Sequence, residues 1–229
     1  MHKLLAFDTS TESLSIAVRC GDMLFQHEGA GGAQASATLI PQIQRLLAEA
    51  GLAISDLDAI AFGRGPGSFT GLRTACSVAQ GLGFGAGVPL LPIDTLHAVA
   101  EDAHHRHGAT RVVALLDARM DQVYAASYDL DEDPSAAAMP ELLAPEQVIV
   151  PAGWALAGNA FDACGERLPA GPARHPALPS AAAMLRLAPA LLAQGRAVAP
   201  DHAWPLYVRD KVAQTTEERA ALKAAASLP

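Results

Sequence analysis

No lysine lies between Lys3 and Lys211. That excludes a Walker-type phosphate loop, whose terminal Gly-Lys pair places an ammonium group on the phosphates. No two histidines lie four residues apart on one face, so a helical His-x-x-x-His metal site is excluded as well. Cysteine is scarce: Cys20, Cys76 and Cys164 stand far apart without paired spacing, which reads as reduced thiols in a cytosolic protein. Basic charge is short too. Sixteen Lys and Arg against 24 Asp and Glu leave a formal charge of −8, which argues against a stand-alone nucleic-acid binder. No secretion signal is legible, because Asp8 ends the apolar run Leu4–Phe7, and a cytoplasmic protein is expected. Thr74–Ile93 carries no charge over the length of a membrane span. Gly81, Gly83, Gly85, Gly87, Pro89 and Pro92 break it into a helix end and a short strand, so it reads as core, with no membrane contact.

Glycine is concentrated in one place. Gly63-Arg64-Gly65-Pro66-Gly67-Ser68-Phe69-Thr70-Gly71-Leu72-Arg73 follows an apolar run, Leu57–Phe62, that reads as a buried strand. It leads into a helix over Thr70–Gly83. A glycine-rich strand-to-helix turn points backbone N–H groups outward at the positive end of the helix dipole, which suits a phosphate, a carboxylate or a closely packed backbone. The spacing Gly65, Gly67, Gly71 has one residue too many for a dinucleotide loop. Ser68 is not in a Gly-x-Ser-x-Gly elbow. Asp94 falls where a ribose-binding acid would stand only by coincidence, since the strand before the loop is not the first of its unit.

At the amino terminus, Lys3–Thr9, Leu14–Cys20 and Met23–His27 read as a three-stranded antiparallel meander. Asp8-Thr9-Ser10-Thr11-Glu12-Ser13 closes the first hairpin, with hydroxyls able to surround a phosphate and an acid near a metal or water. Alternatively these side chains satisfy their own turn. Together the two segments offer Asp8, Thr9, Ser10, Gly65, Gly67, Ser68 and Arg73 to a nucleotide or anion, and Arg64 with Arg73 a small basic spot.

Ala35–Ala50 reads as a helix, capped by Ser36 or Thr38 and closed by Gly51. Leu96–His107 is another helix. Arg111–Leu116 and Gln122–Tyr128 form a strand pair around Asp117 and Asp121, which either make a carboxylate pair or, as acids in such turns usually do, serve turn geometry. His104, His105 and His107 crowd a helix end as solvated surface. Asp131–Pro145 reads as a loop, Trp154–Ala157 as a short strand, and Ala170–Pro179 as an extended connection. Ala181–Gln194 is a helix that Pro189 should kink, and 217–226 is a weakly helical tail.

These segments carry a resemblance. "LLAFDTSTESLSIAV", "GRGPGSFTGLR", "IDTLHAVA", "LLDARMDQVY" and "PLYVRDKVA" resemble motifs of the TsaB family of bacterial tRNA threonylcarbamoyladenosine biosynthesis proteins, from one end of the chain to the other. The resemblance implies an α/β, two-lobed actin-like ATPase (ribonuclease H-like) fold with a reduced second lobe. The lobes would be 1–108 and 109–229, with the last helix returning to the first. It implies a non-catalytic subunit for threonylcarbamoylation of the adenosine beside the anticodon, acting with TsaD, the transferase, and TsaE, a small ATPase, while TsaC makes the threonylcarbamoyl-adenylate. It also implies a homodimer when alone, tRNA met only within the complex, no cofactor required by the chain, and ATP or ADP at the complex interface. One departure stands out: Gln34-Ala35-Ser36 replaces the His-Ser pair that often opens the family's first helix, which removes a polar contact from position 35.

The alternative is a small-molecule kinase or a glycoprotease-like peptidase of the same fold group. A kinase needs a second phosphate loop, for which Ala157-Gly158-Asn159-Ala160 is too sparse, and a peptidase needs a metal or an activated nucleophile. The helices suggest a partner surface. Leu39, Ile43, Leu46 and Leu47 on the first, and Gly71, Leu72, Ala75, Val78, Ala79 and Leu82 on the second, exceed the one apolar face that packing on a sheet requires. The small-residue row Gly71, Ala75, Ala79 would allow close approach of another subunit.

Overall fold

The structure, a computed structural model, describes residues 2–209. The tail read as weakly helical at 217–226 lies outside them, as does the end of the "PLYVRDKVA" segment. Strand β1 (Lys3–Asp8) is apolar on both faces: Leu5 and Phe7 enter one core, Leu4 and Ala6 another. A strand covered on both sides has no polar face to alternate with, which places β1 at the sheet centre. It pairs antiparallel with β2 (Ser13–Cys20), which pairs antiparallel with β3 (Met23–Ala30). Helix α1 (Ala35–Ala50) follows, then β4 (Ala59–Gly65), parallel to β1 on its other side. Helix α2 (Phe69–Ala86) leads to β5 (Leu90–Asp94), parallel to β4. The order is β3-β2-β1-β4-β5.

After helix α3 (Thr95–His107) the same topology is repeated. Strands β6 (Arg111–Arg119), β7 (Gln122–Asp129) and β8 (Glu141–Leu143) form an antiparallel meander. Strand β9 (Ala155–Gly158) pairs parallel with β6, and β10 (Arg174–Pro176) pairs parallel with β9 across the short helix α4 (Phe161–Cys164). The order β10-β9-β6-β7-β8 mirrors the first sheet strand for strand. The second copy is trimmed. One 3-10 turn, Pro145–Gln147, stands where the first has α1, and four residues of α4 stand where α2 has eighteen. The final helix, α5 (Ala181–Ala193), continues through Pro189. Helices α3 and α5 are exchanged: Leu96, Val99, Ala100 and Ala103 of α3 pack on the second sheet, while Met184, Leu185 and Ala188 of α5 pack on the first.

Several sequence expectations are corrected. Strand β4 runs through Gly65, so Gly63, Arg64 and Gly65 are strand residues, and the turn shrinks to Pro66-Gly67-Ser68 after a cis Gly65–Pro66 peptide. Residues 131–145 are not wholly loop, because β8 forms there. Gln34, not Ser36 or Thr38, is the α1 N-cap; Thr38 Oγ1 instead donates back to the Gln34 carbonyl (3.0 Å). Gly51 closes α1 in the left-handed conformation (φ 65°), as a C-terminal glycine does. Ala35 is buried.

The partner surface read from the helices is also corrected. Leu39, Ile43, Leu46, Leu47, Leu72, Ala75 and Ala79 lie between 0 and 3% exposed in the chain's own core. Gly71 is buried, and Val78 and Leu82 are half-buried against the same core. The small-residue row serves the approach of α2 to its own sheet. A Cβ on Gly71 would stand 1.8 Å from the Thr9 carbonyl oxygen, so no side chain fits without moving the helix. Gly81, on the same helix, faces open space. Gly71→Ala is therefore expected to cost about 3 kcal/mol. Gly81→Ala should gain about 0.5–1 kcal/mol from helix propensity alone. Urea melts with unchanged m-values check both, and equal effects at the two positions would contradict the close approach.

Candidate functional site

The repeated topology brings the carboxyl ends of β1, β4, β6 and β9 to one cleft between the lobes, about 440 Å³ in volume. From the first lobe come Ser10, Thr11 and Glu12 of the β1–β2 hairpin, and Pro66, Gly67 and Ser68 of the turn before α2. Asp117, Arg119 and Met120 of the β6–β7 hairpin face them, with Asn159 beyond β9. Leu206 to Arg209 form a further wall.

The glycine turn is fastened to the hairpin rather than standing open. Ser68 N–H donates to the Ser10 carbonyl (2.7 Å), and Thr9 Oγ1 donates to the Gly71 carbonyl (2.7 Å). Gly67 needs no positive φ. Its requirement is steric, since a Cβ there would stand 2.6 Å from the Ser10 carbonyl oxygen. The Thr95 hydroxyl, at the start of α3, donates to the Pro66 carbonyl.

Asp8, the leading acid candidate, does not open onto the cleft. It is 1% exposed. Its Oδ1 accepts from the Ser10 N–H (2.8 Å) and the Ser10 hydroxyl (2.7 Å), a side-chain turn that closes the hairpin. Its Oδ2 has no hydrogen-bond partner and lies against Gly63, where a Cβ would come within 1.8 Å of it. Burial raises the Asp8 carboxyl to about 7, against the opposing pull of the Ser10 bonds.

Of the residues offered to a nucleotide or anion, Ser10, Gly67 and Ser68 line the cleft. Asp8, Thr9 and Gly65 are sealed within the fold, which corrects that assignment for them. Arg73 lies on α2, its guanidinium 3.8 Å over the Phe69 ring and its Nε donating to the Tyr207 hydroxyl (3.2 Å). Arg64 is ion-paired with Asp94, so the two arginines make no joint basic spot, and Asp94 has its structural role there. Asp117 and Asp121 do not act together: Asp117 accepts from the Arg119 N–H (2.8 Å), and Asp121 pairs with Arg167 (2.9 Å). His107 stacks on His175 (4.5 Å), and no group of three or more metal-ligating side chains exists among the described residues. None of the described helices is long and apolar enough to cross a membrane.

Sequence reasoning did not single out Glu12, and it weighed Asn159 only within the segment Ala157–Ala160, set aside as too sparse for a phosphate loop. Asn159 Nδ2 donates to Glu12 Oε1 across the cleft (3.4 Å), while its Oδ1 accepts from the Asp117 N–H (2.9 Å). The signals were present: an acid inside the hairpin motif, and a Gly-Asn pair ending a strand of the second lobe.

Asp8 gives a pH dependence whose sign follows from linkage. Its folded value, about 7, exceeds the ordinary 3.8. Its contribution is therefore fully present below about pH 4 and is lost as pH rises through 7. The span is up to about 4 kcal/mol at 1.36 kcal/mol per unit. Asp8→Asn should flatten this part of the stability–pH curve; a variant curve parallel to the parent between pH 5 and 8 would show that Asp8 is already ionised.

Comparison with known proteins agrees with this geometry. Residues 31–216 match the family TsaD, tRNA N6-adenosine threonylcarbamoyltransferase. The tRNA threonylcarbamoyladenosine biosynthesis protein TsaB of Escherichia coli K12 is 36% identical, over 92% of this chain and 96% of its own. TsaB of Haemophilus influenzae is also 36% identical, over 91% of this chain and 94% of its own. The solved structure of YeaZ from Pseudomonas aeruginosa superposes with a TM-score of 0.84 at 41% identity, covering 90% of this chain and all of that one. With identity sustained along the chain and the same fold as YeaZ, this protein belongs to the TsaB family.

Proposed function

We propose that this chain is a non-catalytic subunit in the threonylcarbamoylation of the tRNA adenosine beside the anticodon, holding TsaD in its working shape with TsaE as a further partner. The observation that carries this reading is the sealing of Asp8. The carboxyl at the end of the first strand is spent on Ser10 and faced by Gly63, so it reaches no substrate or ion in the cleft. The glycine turn is likewise bonded to the hairpin through Ser68 and Gly71. The chain itself requires no cofactor; ATP or ADP belongs at the interface of the complex. The tRNA is met by the assembled complex in the cytoplasm, since the chain's net charge of −8 disfavours phosphate binding alone.

The contact with TsaD lies on the outer faces of α1 and α2. Both helices cover the same side of the first sheet. Away from it they expose Ile40 (42%) and Phe84 (63%), beside Pro41, Gln44, Ser77 and Gly81. Arg73 is the one charged residue in α2, so the outer face of α2 carries little charge for a solvated helix face, while α1 adds one exposed ion pair, Arg45 with Glu49. The same surface serves the homodimer, and the two contacts compete.

The second reading, a kinase or peptidase of the same fold group, rests on Glu12, an exposed carboxylate that lines the cleft opposite Asp117. Two experiments separate them. Ile40→Glu with Phe84→Glu should abolish both self-association in sedimentation and capture of TsaD, with the thermal midpoint unchanged. Retained dimer and retained capture would place the interface elsewhere. The purified chain should turn over ATP and peptides at background; steady turnover lost in Glu12→Gln would establish the enzyme reading instead.

A further inference from the structure

The stretch Ala203–Arg209 belongs to neither sheet, yet it is seated on both lobes. On the first lobe, the Ala203 carbonyl accepts from Gln80 Nε2 (3.0 Å) and Cys76 Sγ (3.3 Å). Leu206 N–H donates to the Arg64 carbonyl (2.7 Å). Gly65 adopts φ 122°, and a Cβ there would stand 2.5 Å from the Leu206 carbonyl oxygen. The Gly65 position is thus cleared for the strap's backbone. Tyr207 packs against Phe69 (5.4 Å between centroids) and accepts from Arg73.

On the second lobe, Val208 packs on the core formed by α3 with β6 and β7. One Arg209 guanidinium nitrogen donates to the Ala118 carbonyl (2.9 Å) and the Arg119 carbonyl (3.4 Å). The other reaches Met120 Sδ (3.4 Å). These carbonyls sit at a hairpin tip where Arg119, Met120 and Asp121 are all left-handed (φ 61°, 55° and 58°). Three successive non-glycine residues hold that conformation only when their surroundings enforce it. Arg209 supplies part of that enforcement from outside the lobe.

We propose that Ala203–Arg209 is a latch that ties the two lobes across the cleft and sets how far the cleft opens. Its fastenings are few and arranged in series, so it releases as a local unit while both sheets stay folded. Because Leu206, Tyr207, Val208 and Arg209 line the cleft, release removes one of its walls. The inference does not rest on the family reading or on any partner.

Series coupling is tested by perturbing each end and reading the other lobe by residue-resolved amide exchange on the intact chain. Arg209→Ala removes the polar second-lobe fastening and leaves only the packing of Val208; the Leu206 amide, on Arg64 of the first lobe, should then exchange about tenfold faster, the scale of one or two lost net hydrogen bonds. Arg73→Ala loosens Tyr207 on the first lobe; the Arg119 amide, bonded to Asp117 on the second, should speed up in the same way. The Ile60 amide, on the interior strand β4 of the first sheet and bonded to Pro89, is the control and should be unchanged. Effects confined to the perturbed lobe, or an equal rise at Ile60, would overturn the latch.

Discussion

The fold depends on backbone lying directly on backbone where β1 meets the start of α2. Gly71 rests on the Thr9 carbonyl and Gly67 on Ser10, each too close to accept even a methyl group. The Ser68 N–H and the Thr9 hydroxyl fasten the two segments together. A glycine turn is useful to a ligand only while its N–H groups stand free. Here close packing occupies part of that capacity. The same packing buries Asp8 beneath the hairpin. Among the polar side chains that line the cleft, Thr11, Glu12 and Ser68 stand on one side, with Asp117, Arg119 and Asn159 on the other.

The second constraint is the exchange of helices between two similar sheets. Helix α3 leaves the first sheet to cover the second, and α5 returns to cover the first. Where they cross, Arg186 meets Glu101 with two parallel bonds (2.5 and 2.6 Å), and the Ser180 hydroxyl reaches Asp102 (3.1 Å). A bidentate guanidinium–carboxylate pair fixes orientation as well as proximity. Neither lobe completes its core without a helix supplied by the other half of the chain. The second lobe can therefore lose most of its outer helices and still be held in place.

The first lobe was largely legible in the sequence. Its meander, α1 and the glycine turn follow from apolar runs, helical spacing and turn residues. The second lobe was less so. Strands β8 and β10 are three residues long, too short for alternation to register, and only the fold reveals that they complete a repeat of the first sheet. The helices misled in an instructive way. Periodicity shows that Leu39, Ile43, Ala75 and Ala79 face something apolar, but not whether that neighbour is the chain's own sheet or another subunit. Their burial at 1% or less answers for the sheet. In the site, Asp8 looked accessible because the sequence shows an acid at a strand end; that Gly63 closes over it is a contact between strands 55 residues apart in the chain.

The central claim is that the carboxyl and the loop at the end of β1 serve architecture, leaving chemistry to a partner. A reconstituted modification assay with TsaC, TsaD, TsaE and tRNA tests it most directly, comparing the parent chain with Asp8→Asn below pH 7, where the parent carboxyl is protonated. The account predicts equal rates of threonylcarbamoylation at saturating subunit. A loss of about a hundredfold or more, the scale of a missing general acid or base, in a variant that still folds and still captures TsaD, would contradict it.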